Sequence, residues 1–503
     1  MPRSMKLHAS DNVAVLIEAC AAGDEVQGIT ATQRIPRGHK MALAAVPEGE
    51  EIVKYGQIIG FASRPIAPGE WVHEHNVGLH DFTRDYQFSE GRRLTNRAPA
   101  SALRTFRGYR RPNGKWGTRN YIAVLTSVNC SATAARHIAG EVERSGVLKN
   151  YPNIDGIISL VHGTGCAIDH QGQDYELLKR TQWGYATNPN VGGVLMVGLG
   201  CEGFQIPRWK EAYGIEESTT FRTLVIQESG GTRKTVEKGV QAIIDMLPAV
   251  NDVKREDAPA SELMLALQCG GSDGYSGITA NPALGVAVDL LVAQGGTAIL
   301  SETPEIYGAE HLLTRRAETP EIGQKLVERI RWWEGYTARN NMRMDNNPSP
   351  GNKAGGLTTI LEKSLGAAAK GGSTNLMGVF EYAEAVTQRG LVFMDTPGYD
   401  PVSATGQVAG GANILCFTTG RGSAFGCKPT PSIKLSTNNF LYEQMRDDID
   451  INCGDILDGV SHEEKGRQIF EEIIRVASGA RTRSEELGYG DSEFVPWQVG
   501  ATM

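Results

Sequence analysis

From about residue 108 to the end, the chain is organised by one recurring pattern: a short apolar run, a glycine-containing turn, then a longer stretch of helical periodicity. The runs are YIAVLTSV, DGIISLVHG, GGVLMVGLG, TLVIQE, LMLALQCGG, TAILSE, LVFMDT and ANILCFTTG. A strand that is apolar at nearly every position buries both faces, as parallel strands under crossover helices do. EKGVQAIIDML and GQKLVERIRWWEGYTAR have the spacing of such helices. The pattern therefore predicts an α/β architecture and leaves little room for an all-β or all-helical chain.

A chain of 503 residues exceeds a single core, and the pattern divides it. Residues 1–81 read as a small β-rich module of short segments broken by Gly and Pro, among them KLHASDNVAVLI, EIVKYGQIIGFA and EWVHEHNV. Residues 82–107 are polar and aperiodic, the composition of a linker. A middle α/β domain is expected over 108–255 and a C-terminal Rossmann-like α/β domain over 256–503, separated by the polar stretch VNDVKREDAPASE. Two lobes or one composite sheet would both produce that break.

A formal charge of −8 supplies no basic field for a polyanion, so nucleic acid is not expected as a partner. No apolar run approaches the ~20 residues of a membrane span, and the N-terminal residues lack the apolar core of a signal peptide. A cytoplasmic protein without membrane contact is the expectation. There, eight dispersed cysteines with no CxxC pair are thiols, free to act as core residues, nucleophiles or ligands.

Four of those thiols stand at the carboxyl ends of predicted strands: Cys130, Cys166, Cys201 and Cys269. Ligands of open α/β sheets bind at that edge. Thiolates suit iron, as a single ion or as an iron–sulfur cluster, and the four are the candidate metal ligands. HGTGC, GLGCEG and QCGGSDG place His162, Glu202 and Asp273 beside them, His162 being the first choice of base because imidazole titrates near neutrality. GNKAGG and TGRGSAFG contribute Lys353 and Arg421 as candidate carboxylate clamps. In the N-terminal module HEHN would set His73 and His75 on one face of a strand. No P-loop is present and no GxGxxG follows a strand, which argues against nucleotide and nicotinamide chemistry.

HASDNVAV, RGHK, VKYGQIIG, NGKWGTRNY, HGTGCA, VGLGCE, QCGGSDGYSGITANP, SETPEI, NPSPGNKAGG and TTGRGSAFG occur in that order, and with them the chain closely resembles the altronate/galactarate dehydratase family from end to end. The resemblance implies an N-terminal β-clip (SAF-type) domain, a middle domain used in dimerisation, and a variant Rossmann-like C-terminal domain. It also implies an Fe2+-dependent hydro-lyase that acts on a hexonic or hexaric acid and assembles as a homodimer. His8, His39, Lys40, Tyr55, His75, Asn281 and Asn352 join as candidate substrate contacts. HEHN and PEIYGAE lean toward the altronate branch and TSVNC toward the galactarate branch. A lyase acting on sulfolactate and a non-catalytic sugar-acid-binding protein are the competing expectations.

Overall fold

The computed structural model describes residues 1–80, 86–500 and 503. Asp81 and residues 82–85, where the first domain was expected to pass into the linker, lie outside them. Among the described residues no helix is long and apolar enough to cross a membrane.

The N-terminal module is built from a four-stranded antiparallel sheet, a three-stranded one and a two-stranded hairpin. Glu51–Lys54 and Gln57–Ala62 are joined through Tyr55 (φ 62°) and Gly56 (φ 67°), two left-handed residues in succession, as a two-residue turn matched to strand twist requires. Asp11 Oδ1 accepts the Gly56 N–H at 2.8 Å and fixes the turn. HEHN does not continue a strand. Trp71–Val72 ends first, because the Asn76 side chain accepts the His73 N–H and the Asn76 N–H returns to the His73 carbonyl, closing a turn.

All eight apolar runs contain strands, and they lie in two separate parallel sheets. In the middle domain the order is Gly156–Leu160, Tyr121–Thr126, Val191–Gly198, Phe221–Val225. Helices Ala132–Ser145 and Thr232–Asn251 cover one face through Ala135, Ile138, Ile243 and Met246. The last run ends as a strand at Val225, and Ile226 already begins a short helix.

The C-terminal sheet has seven parallel strands in the order Leu376–Phe380, Gly390–Met394, Thr297–Leu300, Met264–Cys269, Ile414–Thr419, Ser432–Ser436, Ile451–Asn452. The nearly all-apolar helix Ala280–Ala293 is sandwiched between this sheet and His462–Ala477, which presents Ile469, Phe470, Ile473 and Ile474 to it. Ser461 caps the latter helix by accepting the Glu464 N–H. On the opposite face Asp400–Ala409 packs against Gln173–Ala186 of the middle domain, so the two lobes share a core. The polar stretch between them supplies Arg255–Pro259, which pairs antiparallel with Thr105–Arg110. The expected linker therefore ends in a strand of this bridging sheet.

Chain order reverses about Met264–Cys269: the next strand lies on one side of it, and Ile414–Thr419 on the other. A crevice opens outside the carboxyl ends of strands at such a reversal.

Candidate active site

Cys269 ends the central strand, and Glu302 and Glu305 follow the neighbouring Thr297–Leu300 strand. One ligand atom from each of the three lies within 4.8 Å of the others, the one such grouping of three or more His, Cys, Asp or Glu residues among the described residues. Lys370 Nζ donates to Cys269 Sγ at 2.8 Å and to Glu302 Oε2 at 2.9 Å. Lys363 Nζ donates to Glu305 Oε1 at 2.7 Å and to Asn347 Oδ1 at 2.8 Å. The array opens on a cavity of about 320 Å³ lined by Cys269, Glu305, Asn347, Lys363, Asp400 and Arg421, among others. That volume suits a small acid.

Glu302 sits at φ 69° with its side chain fully buried, a left-handed backbone that glutamate rarely adopts and that concentrates at functional sites. Gly270 is needed for a different reason: a Cβ there would lie 2.1 Å from Asp400 Oδ2, so only glycine lets that carboxylate close over the strand end. Burial, with repulsion from Glu305 and Asp400, pushes Glu302 up to about 8 against the pull of Lys370. Burial and then Glu305 push Asp400 up to about 7. The Cys269 thiol is pushed up by burial and by Glu302. Burial pulls Lys370 down, but Cys269, Glu302 and Glu305 more than reverse it and push it up. These are groups arranged to perturb one another beside an open cavity, the arrangement acid–base chemistry uses.

A divalent iron fits this donor set. Glu302 Oε1 is buried without a hydrogen-bond partner, next to a thiol and a second carboxylate, and an orphaned carboxylate oxygen in such a place calls for a cation.

Of the residues expected from sequence, Cys269, Arg421 and Asn352 line this cavity. Asn352 also donates to the Ser272 carbonyl and, with Ser349, forms a reciprocal cap on the helix Pro350–Ala354. Lys353, on the same helix, reaches the other way and pairs with Glu74 of the N-terminal module at 3.1 Å. Asp273 is spent on structure: its carboxylate accepts from the Tyr275 N–H, Ser276 Oγ, Thr437 Oγ1 and Asn438 Nδ2. Asn281 likewise bridges the Gly366 carbonyl and Thr418 Oγ1.

The four thiols expected to meet are split between the two sheets. Cys130, Cys166 and Cys201 stand exposed on the middle domain, while Cys269 is buried in the C-terminal one. They were grouped because all four follow apolar runs, and a run does not reveal which sheet it joins. His162 is not placed as a base. Its Nε2 donates to the Thr126 carbonyl at 2.8 Å, its Nδ1 accepts the Thr164 N–H at 3.3 Å, and burial pushes it down to about 4. Both ring nitrogens are thus used by the backbone. Glu202 closes its own loop, accepting from Ser127 Oγ and from the Leu199 and Gly200 N–H groups.

In the N-terminal module Lys40 and Lys54 both bind Glu362, on the helix Ile360–Ala368, at 2.8 Å, all three fully buried. This triad bolts the module to the C-terminal domain. His39 donates to the Ala354 carbonyl at 3.3 Å and accepts the Trp71 N–H at 3.2 Å. His73 stacks on Trp71 and the exposed His75 meets the same ring edge-on. Tyr55 packs under Gly277, and His8, exposed, bonds Ser10 and covers Gly56. None of His8, His39, Lys40, Tyr55 or His75 lines the cavity.

Glu302, Glu305, Lys363, Lys370, Asn347 and Asp400 were missed. The strand-end argument that selected cysteines applies equally to the SE and PE of SETPEI, directly after TAIL. The lysines carried a subtler signal, two cations in the stretch ILEKSLGAAAKGG, where only Glu362 and Ser364 are otherwise polar.

Comparison with known proteins agrees with the resemblance seen in the sequence. Residues 2–80 match the altronate/galactarate dehydratase SAF domain, 108–251 the D-galactarate dehydratase/altronate hydrolase second domain, and 260–502 the D-galactarate/altronate dehydratase C-terminal domain. The chain is 36% identical over 510 residues to an altronate dehydratase of Bacillus subtilis, covering 100% of both chains. It is 38% identical over 495 residues to the galactarate dehydratase (L-threo-forming) of Escherichia coli, covering 96% of this chain and 94% of that one. With an altronate dehydratase of Escherichia coli it shares 34% identity over 505 residues, 99% of each chain. Three domains matched in order and relatives aligned along nearly their whole length show that the chain belongs to the altronate/galactarate dehydratase family of carbon–oxygen lyases.

Proposed function

We propose that this protein dehydrates a hexonic or hexaric acid, altronate before galactarate, to a 2-keto-3-deoxy acid in the cavity beside Cys269. The observation that carries this is the convergence of buried Cys269, Glu302, Glu305, Lys363 and Lys370 on a cavity that also holds Arg421 and Asp400.

Dehydration removes the proton beside the carboxylate and expels the hydroxyl one carbon further on. Arg421 takes the substrate carboxylate with its planar fork, and Lys363 adds charge to the same end. The Asn347 and Asn352 side chains are within reach of Lys363 Nζ, at 2.8 and 3.5 Å, so they form one polar wall with it and select for hydroxyls. Asp400, held over the strand end by the gap at Gly270, accepts the α-proton. Cys269, Glu302 and Glu305 would hold Fe2+, whose Lewis acidity would stabilise the enolate charge or the departing hydroxyl and deprotonate the thiol that binds it. Lys370 keeps Glu302 and the sulfur in register from beneath.

The test is anaerobically purified protein offered altronate, galactarate and sulfolactate, with keto acid and sulfite both measured. Keto acid from either sugar acid supports the reading. Sulfite from sulfolactate alone would move it to the sulfo-lyase reaction, and binding without turnover after iron loading would leave a binding protein.

A further inference from the structure

The cavity accounts for one of the eight cysteines, and four others, Cys20, Cys416, Cys427 and Cys453, are buried core residues. The remaining three, Cys130, Cys166 and Cys201, are the exposed ones. Cysteine is among the most buried residue types, so three solvent-facing thiols call for an explanation, and all three occur on one edge.

They follow the three adjacent parallel strands Tyr121–Thr126, Gly156–Leu160 and Val191–Gly198. Neighbouring strands lie about 4.8 Å apart, so their carboxyl-terminal loops meet. Here they are stitched. The Asn129 N–H donates to the Thr164 carbonyl at 3.0 Å, and the Gly203 N–H to the carbonyl of Cys166 itself at 2.8 Å. The Phe204 N–H reaches the Gly165 carbonyl at 3.0 Å, and Glu202 accepts from Ser127 Oγ. A Cβ on Gly165 would lie 2.1 Å from the Ser127 carbonyl oxygen, so the loops close only because that residue is glycine. Each thiol is thus within a few residues of a bond tying its loop to the next.

From this arrangement we infer a second metal centre, separate from the cavity: an iron–sulfur cluster of the four-iron type carried by Cys130, Cys166 and Cys201, with one iron free of protein thiolate. A single tetrahedral ion, with metal–sulfur bonds of about 2.3 Å, draws its sulfurs to within about 4.6 Å of one another. The three thiols do not meet the 4.8 Å criterion that Cys269 and its carboxylates meet. In a cluster each thiolate binds its own iron, so the sulfurs stand wider apart, as donors from three different loops do. The 14-residue helix Ala132–Ser145 starts immediately beyond the turn that holds Cys130, and its positive end favours the anionic centre. Gly163 and Gly165, which carry no Cβ, let the backbone beside Cys166 approach bridging sulfides closely. The thiolate-free iron faces solvent and takes an oxygen donor such as a hydroxy acid.

This inference does not depend on the proposed reaction, and its readout is separate from turnover. Full-length protein is purified without oxygen, or loaded with ferrous iron and sulfide, then measured for iron, acid-labile sulfide, visible absorption and the paramagnetic signal of the reduced form. Sulfide approaching four per chain, with a visible chromophore that is lost in Cys130→Ser, Cys166→Ser and Cys201→Ser and kept in Cys269→Ser, is the expected result. Circular dichroism of the three variants shows whether each has folded, and the exposed positions make unfolding unexpected. Absence of labile sulfide, one thiolate-bound ion without sulfide, or a chromophore that depends on Cys269 or survives the three substitutions would each overturn it. Loss of turnover in Cys269→Ser with the chromophore intact separates the fate of this centre from that of the dehydratase reading.

Discussion

The middle and C-terminal sheets both bring cysteine to their carboxyl edges, and the two edges differ in depth. At the C-terminal edge the N-terminal module and the helix Ile360–Ala368 lie over the strands, so Cys269, Glu302, Glu305, Lys363 and Lys370 are dry and compensate one another. At the middle edge the loops carrying Cys130, Cys166 and Cys201 stay open, and the carboxylate and imidazole beside them, Glu202 and His162, are used to hold backbone. Strand ends gather residues in both cases, but only covering them creates a low-dielectric site in which charges act strongly on each other. A strand-end position in sequence therefore identifies candidates, and burial beside a cavity, with polar atoms not already spent on backbone as those of His162 and Glu202 are, decides which of them can do acid–base chemistry.

The sharpest way to break this contrast is Lys370→Met. It leaves Glu302 and Cys269 without their cation in a dry site, and should cost about 3–5 kcal/mol in denaturant unfolding and abolish turnover. Little change in either would mean the edge is wetter than its burial indicates. Asp400→Asn should lower kcat by about 10²- to 10⁴-fold with the fold intact, and a smaller effect removes Asp400 as the proton acceptor. Arg421→Lys keeps the charge but loses the fork and should raise KM roughly tenfold with a smaller change in kcat. An unchanged KM would take Arg421 out of the substrate's reach.

On the middle edge His162→Gln removes one of two donors to the Thr126 carbonyl, Gln182 Nε2 remaining at 2.9 Å, so it should cost only about 0.5–1.5 kcal/mol of stability and leave kcat untouched. A collapse of kcat would restore His162 as a base. A pH titration compares the middle edge with the N-terminal module. Burial holds His39, His73 and His162 at about 4 in the folded protein, below the ordinary histidine value of about 6.5. The unfolded chain therefore binds more protons between those values. Stability is full above about pH 6.5 and falls as the pH drops toward 4, by on the order of 1–2 kcal/mol per ring at pH 5. Flat stability from pH 7 to 5 would contradict the burial of these rings. The smallest effect is expected for Cys166→Ser in metal-free protein, within about 0.5 kcal/mol of the parent, since an exposed thiol packs against little.

Much of this molecule was legible without coordinates. Eight apolar runs became eight strands because a residue buried on both faces of a sheet must be apolar whatever its partners. Leu376–Phe380, Ser432–Ser436 and Ile451–Asn452 escaped notice: the first is interrupted by Gly378, the second carries Lys434 between two serines, and the third is only two residues long. In the site, Cys269, Arg421 and Asn352 were found through their glycine-rich turns, since a turn at a strand end is a local property. Glu302 and Lys370 were not, because their importance lies in a 2.9 Å contact between residues 68 positions apart.

The sequence by itself determined the fold class, the order of domains and the family, all of which rest on local periodicity and on long unbroken motifs. Only the tertiary structure decided that Cys269 leaves the other three thiols for a site with two carboxylates and two lysines. Strand order sets which chain ends become neighbours, and it is fixed by packing between lobes that are distant in sequence.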